Sequence, residues 1–377
     1  MSAVSTRSGA AESTGGGHAV VGTDFYPTHV SGVLSTAVAS RFVPGSPRRV
    51  GTCGDGSGTM HEVTSTSGDS STSTSANLTR EETRERSRHV EVLEYRVELD
   101  LRAARDPDVE TFTTRTIVEF AATTDETWLD FLGADVSRVT LNGETVEVDY
   151  DGARIRVPGL HRINAVAVEA TAYYSRSGEG LHRYVDPEDG ETYLYTQYEP
   201  ADARRVFACF EQPDLKAGFV FDVHAPAGWV VLSNARPRST GPERVVFERT
   251  LPISTYITAI VAGPYHSATG TWRRGDLTVP LGAYCRASLA EHFDPEDIFE
   301  ITRQGLDYYH EVFDYPYPFG KYDQVFVPEY NLGAMENPGC ARSPSRTSSA
   351  APRPTTSTSA ARTRSSTRWP TCGSAIS

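Results

Sequence analysis

Two stretches of this chain gather side chains able to do chemistry. The first, YTQYEPADARRVFACFEQPDLKAGF (195–219), sets Glu199, Asp202, Arg204, Arg205, Glu211 and Asp214 among aromatic residues and proline. The second is GAMEN (333–337), with one acid, Glu336, between a methionine and an asparagine. Carboxylates so placed could hold a cation, move a proton or ligate a metal. The same residues also fit a solvated loop whose surface ion pairs contribute little each. GAMEN likewise fits a turn after a strand, since Gly and Asn commonly fill turns. Neither stretch names a reaction. A metal helix would need two His at i and i+4 with a Glu between them. His61-Glu62 in HEVTS ends in Ser65 and lies in low-complexity sequence, so it reads as chance, and no other His pair has that spacing.

The elements that must position these residues are legible in the periodicity. Thr79 with Glu82 three residues on is a capping-box pattern for a short helix. YRVELDL, TRTIVEF, RVTLNGETVEV, ARIRVPG and NAVAVEATAYY then alternate apolar and polar residues as half-buried strands do, with turns at Asn142-Gly143 and Asp151-Gly152. The pattern continues through AGFVFDVHAP, WVVLSNA and STYITAIVAGPY. It predicts a mainly β, largely antiparallel domain over roughly 77–270. The period then changes: Asp294-Pro295 suit a helix cap and first turn, and Ile298, Ile301, Leu306 and Tyr309 recur at near-helical spacing. YDQVFVPEYNLGAMEN follows as an expected strand, so 271–340 reads as the start of a mixed α/β domain.

Together and in this order, the two stretches resemble the aminopeptidase N family of zinc peptidases, whose pattern runs TQxEPxDARRxFPCFDEPxxKAxF and later GAMEN. Ala208 replaces the common Pro, and EQP stands for DEP. YSRSGEGLHRYVDPEDG and STYITAIVAGPYH add to a likeness that covers about 77–340. The resemblance implies a saddle-like β domain followed by an incomplete thermolysin-like catalytic domain. It implies that Glu336 and Glu199 bind the free α-ammonium of a peptide, one carboxylate from each domain. Such a pair would form charge-assisted hydrogen bonds to a terminal amine, and an internal peptide bond would leave both acids unpaired. By the same resemblance the backbone of Gly333 and Ala334 lines the substrate, Met335 and Asn337 support the strand, and Arg204 and Arg205 are structural. The family cofactor is zinc, held by HExxH and a later Glu, with a downstream Tyr aiding the tetrahedral state.

The chain as written carries no HExxH, so no catalytic or metal residue is assigned and no bound zinc is expected. The tail after GAMEN turns abruptly to Arg, Ser, Thr, Pro and Ala. Its codons admit another reading. Trp369 has the single codon TGG and Pro370 begins CC, so the shifted junction is GCC, alanine. Ser366 into Thr367 can read CAC, Thr367 into Arg368 GAG, Arg368 into Trp369 ATG, and Pro370 into Thr371 CAC. Continued, the shifted frame reads HEMAHMWFGD, a family-like metal helix, and the same shift recovers VTF from Arg342 to Ser345. The expectation is a frame slip near Cys340 to Arg342, with 341–377 an out-of-frame tail. A natural basic, disordered tail is the competing expectation.

Residues 1–76 are rich in Ser, Thr and Gly and are expected to be disordered, or to follow a start assigned too far upstream. A net charge of −13 over 377 residues argues against a nucleic-acid or anionic-membrane partner. The N-terminus lacks a secretory apolar block, and the five cysteines form no CxxC pair, so a cytoplasmic protein is expected. Peptides with a free amine are the expected partners, and half a catalytic domain is expected to leave core surface exposed beyond about residue 275. Two other functions remain open. One is a zinc hydrolase of the epoxide hydrolase-aminopeptidase branch, in which Gln is expected at the position of Glu199. The other is a non-catalytic β-rich peptide-binding module.

Overall fold

The computed structural model describes residues 77–345; the expectations for 1–76, for HEVTS and for 346–377 lie outside them. The first described element is α1 (Arg80–His89). Thr79 accepts from the Glu82 backbone N–H at 3.1 Å, and Glu82 accepts from the Thr79 N–H at 2.7 Å, closing the expected capping box. Its one buried side chain, Arg86, bonds Asp130 at 2.8 Å and Gln212 at 3.1 Å, sandwiched against Trp128 and Phe210.

The mainly β expectation holds. Val90–Asp100 alternates buried and exposed residues and lies at the middle of an eight-stranded sheet. It pairs antiparallel with Thr111–Ala122 and parallel with Gly218–His224, the one parallel pairing of that sheet. Tyr95, Phe207, Phe219 and Phe221 fill its inner face, with Tyr95 stacked on Phe219 at 4.7 Å. Burying one such ring contributes about 2–3 kcal/mol, which makes this the fold's main anchor. The predicted turns form where positive φ is needed, at Asn142 (53°), Gly143 (90°) and Gly152 (94°). A four-stranded sheet, Val230–Ser233, Ile260–Gly263, Thr192–Gln197 and Gly180–Val185 in spatial order, carries the first chemistry-bearing stretch at one strand end.

A third sheet runs His266–Arg274, Leu277–Cys285, Tyr322–Val327, Cys340–Pro344, antiparallel at the first pairing and parallel at the next two. Its first strand straddles residue 270. The helix α2 (Pro295–Phe313) starts as expected, with the Asp294 carboxylate accepting from the Asp297 N–H at 3.2 Å. It buries Phe299, Thr302 and Leu306 on its packed face, where Phe299 and Leu306 join Trp272, Val279 and Leu281 in a second core. One expectation needs correction. The strand expected over 322–337 stops at Val327, because Pro328 has no N–H to give the ladder and Glu329 takes φ 47°. GAMEN therefore lies in a loop. The sheet in turn continues beyond Cys340, through Arg342, as the edge strand Cys340–Pro344. Among the described residues no helix is long and apolar enough to cross a membrane.

Candidate functional site

The GAMEN loop is fixed by its flanks. Met335 and Arg342 exchange backbone N–H···O bonds at 2.9 and 3.0 Å, and Met335 is buried in the main core. Asn337 donates through Nδ2 to the carbonyls of Ile257 (3.0 Å) and Thr258 (3.2 Å), while its Oδ1 accepts from Arg342 at 2.6 and 3.1 Å. Asn234 ties the same segment from the other side, donating to Ile257 O and Pro338 O at 3.0 Å each. Gly339 takes φ 69°, and a Cβ there would lie 2.2 Å from Asn234 O, so only glycine fits beneath the loop. Ala334 is buried, Gly333 is exposed, and Glu336 is held half-buried between two locked neighbours. Met335 and Asn337 thus brace a loop, where a strand was expected.

Glu199 follows the strand Thr192–Gln197, one residue beyond the fully buried Tyr198, and its bond to Pro200 is cis. The chain then turns into a single 3-10 turn, with Asp202 N–H donating to Tyr198 O at 2.8 Å. Glu211 governs this turn from below. One of its oxygens accepts the Arg204 backbone N–H (2.8 Å) and the other the Thr255 hydroxyl (2.5 Å). Burial raises the Glu211 carboxyl to about 7 against those two bonds, and the neighbouring Asp130 adds to the rise. Arg204 donates to Ala201 O and Asn77 Oδ1, and Arg205 to Asp202, so both arginines act within the scaffold as expected. Glu199 itself is exposed and has no hydrogen-bond partner among the described residues.

The charges of the two acids are felt by a residue that sequence reasoning passed over. Tyr256, half-exposed in the turn Thr255–Ile257, has its phenol raised by burial, then by the charges of Glu336 and of Glu199. Both carboxylates therefore act on one phenol through their charge. Gln197 was also missed. It is buried, its Oε1 accepts from Tyr330 at 2.6 Å, and its Nε2 has no partner. Its position two residues before Glu199 was the available signal, since alternate residues of an extended chain share a face.

Arg342 lies beneath the loop and is fully buried. Its guanidinium meets only neutral acceptors, Asn337 Oδ1 and Thr196 Oγ1 (3.1 Å), and it forms no salt bridge among the described residues. Across the Tyr195–Tyr330 wall lies a cavity of about 510 Å3, where His182 and Glu329 approach to 3.2 Å. Burial lowers the His182 imidazole, against the pull of Glu329. Among the described residues no three His, Cys, Asp or Glu side chains converge, so the donor set does not fit a zinc ion.

Residues 93–257 match the peptidase M1 N-terminal domain, and residues 298–366 match the peptidase family M1 domain. The second match runs beyond Arg342, where the reading frame is expected to have slipped. An aminopeptidase N of Streptomyces lividans is 50% identical over 267 residues, 70% of this chain and 31% of that protein. An aminopeptidase N of Acetobacter pasteurianus is 33% identical over 209 residues, 54% of this chain and 52% of that protein. Aminopeptidase M1-C of Oryza sativa subsp. japonica is 29% identical over 267 residues, 65% of this chain and 29% of that protein. The chain thus spans between about a third and a half of these relatives.

Proposed function

This chain belongs to the aminopeptidase N family of M1 peptidases, and from that premise we propose that it carries the amine-recognition half of an aminopeptidase site. Glu199 and Glu336 bind the α-ammonium of a peptide between the β domain and the GAMEN loop. Gly333 and Ala334 offer their backbone to the first residue of the substrate. Met335 and Asn337 hold that backbone still, and the Nε2 of Gln197 faces the same substrate. The observation that supports this reading is that the neighbour of Glu336, Asn337, and the carboxylate that holds the turn after Glu199, Glu211, both bond the single turn Thr255–Ile257. Two acids around one cation measure where a peptide begins, because an acylated nitrogen brings no charge to offset their desolvation.

In the family, zinc polarises the scissile carbonyl and activates water. The described residues do not fit that ion, and no step is routed through it. We read this chain as hydrolytically inert, with the coding for HEMAHMWFGD in another frame downstream of GAMEN. Arg342 supports the frame slip: a fully buried cation with neutral partners only is costly in a native core. Resequencing codons 335–377 and reading past the stop tests it; an unbroken frame that keeps Arg342 in the transcript overturns it.

The amine site is tested by titrating the chain with leucine amide. Each of Glu199→Gln and Glu336→Gln should weaken binding by about tenfold or more, the scale of a hydrogen bond to a charged group. Unchanged affinity in both variants would remove the proposal. Zinc content and turnover of an aminoacyl arylamide should both be nil, and stoichiometric zinc with turnover would contradict the inert reading.

A further inference from the structure

The strands Leu277–Cys285, Tyr322–Val327 and Cys340–Pro344 run parallel, and the chain at their carboxyl ends lines the cavity of about 510 Å3. Crevices beyond the carboxyl ends of parallel strands are where open sheets bind small ligands, and this volume is of the size such pockets have. The β domain supplies the remaining wall through Arg176, Ser177, His182 and Tyr184. A staple joins the two walls, the Asn331 side chain donating to Ser177 O at 2.7 Å. Gly178 takes φ 97° beside it, and a Cβ there would lie 2.2 Å from Asn331 Nδ2, so only glycine admits the staple.

The charged side chains of the lining differ in what neutralises them. Arg286 is paired at 2.5 Å with the fully buried Asp186, which also accepts from the Ser288 hydroxyl. Arg176 is exposed and has no hydrogen-bond or ion-pair partner among the described residues. Glu329 has one oxygen 3.2 Å from His182 Nε2, and its other oxygen has no partner among the described residues. Burial lowers the His182 imidazole, so near neutrality it donates to Glu329 without cancelling the charge. Glu329 also takes φ 47°, a left-handed backbone that costs a glutamate free energy and recurs where side chains are held for ligands. The lining thus keeps one cation and one anion unneutralised.

We propose that this cavity binds a free α-amino acid, its carboxylate on Arg176 and its ammonium on the open oxygen of Glu329. The site goes beyond the amine site above, since Glu199, Gly333 and Glu336 do not line it. A zwitterion brings an opposite charge to each unneutralised group. A simple anion would meet the Glu329 carboxylate, and a simple cation the Arg176 guanidinium, each a like-charge contact. Free amino acids are what an aminopeptidase releases, so the ligand is of the product class.

The test is an equilibrium titration of the full chain carrying Glu199→Gln and Glu336→Gln, which silences the amine site. One leucine per chain should still bind. Leucine amide and N-acetyl-leucine, each lacking one of the two charges, should bind about tenfold more weakly or worse. Adding Arg176→Ala, or adding Glu329→Gln, should weaken leucine by about tenfold or more. Both side chains are exposed, and Gln keeps an acceptor for His182, so both variants should unfold at the parent temperature. No leucine binding, equal affinity for the three ligands, or unchanged affinity in either cavity variant overturns the inference. Leucine amide titrated into chains with single substitutions separates the two sites. Arg176→Ala should leave its affinity unchanged. If Glu199→Gln and Glu336→Gln also leave it unchanged while the cavity variants lose leucine, only the amine site fails.

Discussion

Arg342 and Glu211 show at the scale of single residues how far this site departs from a settled core. A buried guanidinium with amide and hydroxyl partners keeps most of its desolvation cost. Thr, which the shifted frame reads in this run, is small and can bond Asn337 without a charge. Arg342→Thr should therefore raise the thermal midpoint, by about 2–4 °C for each kcal/mol recovered in a domain of this size; a lower midpoint would show that Arg342 belongs there. Glu211 predicts a pH dependence of opposite sense to most carboxylates. Its carboxyl is raised from 4.5 to about 7 in the fold, so the folded chain binds the extra proton. This contribution is fully present below about pH 4.5, fades as pH rises through about 7, and amounts to roughly 3 kcal/mol from the shift. Glu211→Gln should make stability flatter between pH 5 and 8. If the parent chain loses stability as pH rises across that window and the variant loses as much, Glu211 is not the group responsible.

At the scale of elements, local signals were legible and long-range ones were not. The capping box of α1, the Asp294 cap of α2 and the turn at Asn142-Gly143 are each written within a few residues, and each forms. Asp294→Ala should cost about 1 kcal/mol, read by denaturant midpoint; no change would mean that packing alone holds α2. The parallel pairing of Val90–Asp100 with Gly218–His224 joins strands more than a hundred residues apart, and no local period announces it. GAMEN was legible as chemistry and as a turn after a strand, but the strand was drawn too long, because a periodic run cannot show that Pro328 and Glu329 will end it. Tyr256 lay hidden for a related reason. The bonds that its neighbours make to Asn337 and Glu211 span long stretches of chain, and none of these is visible in the spacing of STYIT.

For the whole molecule, the described residues present an intact β domain and the opening of a catalytic one. Tyr308, Val312, Phe313 and Tyr315 are each more than half exposed at the end of α2, a cluster larger than scattered surface apolar residues would give. Chymotrypsin should cut first at 308–315, leaving the β domain as a stable fragment; first cleavage within 90–260 would contradict this division of stability. The proposal for the whole chain is narrower: that it binds a free terminal amine through Glu199 and Glu336. Equilibrium titration with leucine amide and with N-acetyl-leucine amide tests this most directly. With two charge-assisted bonds at stake, the free amine should bind about a hundredfold more tightly than its acetylated form. Equal affinity for the two would contradict the account.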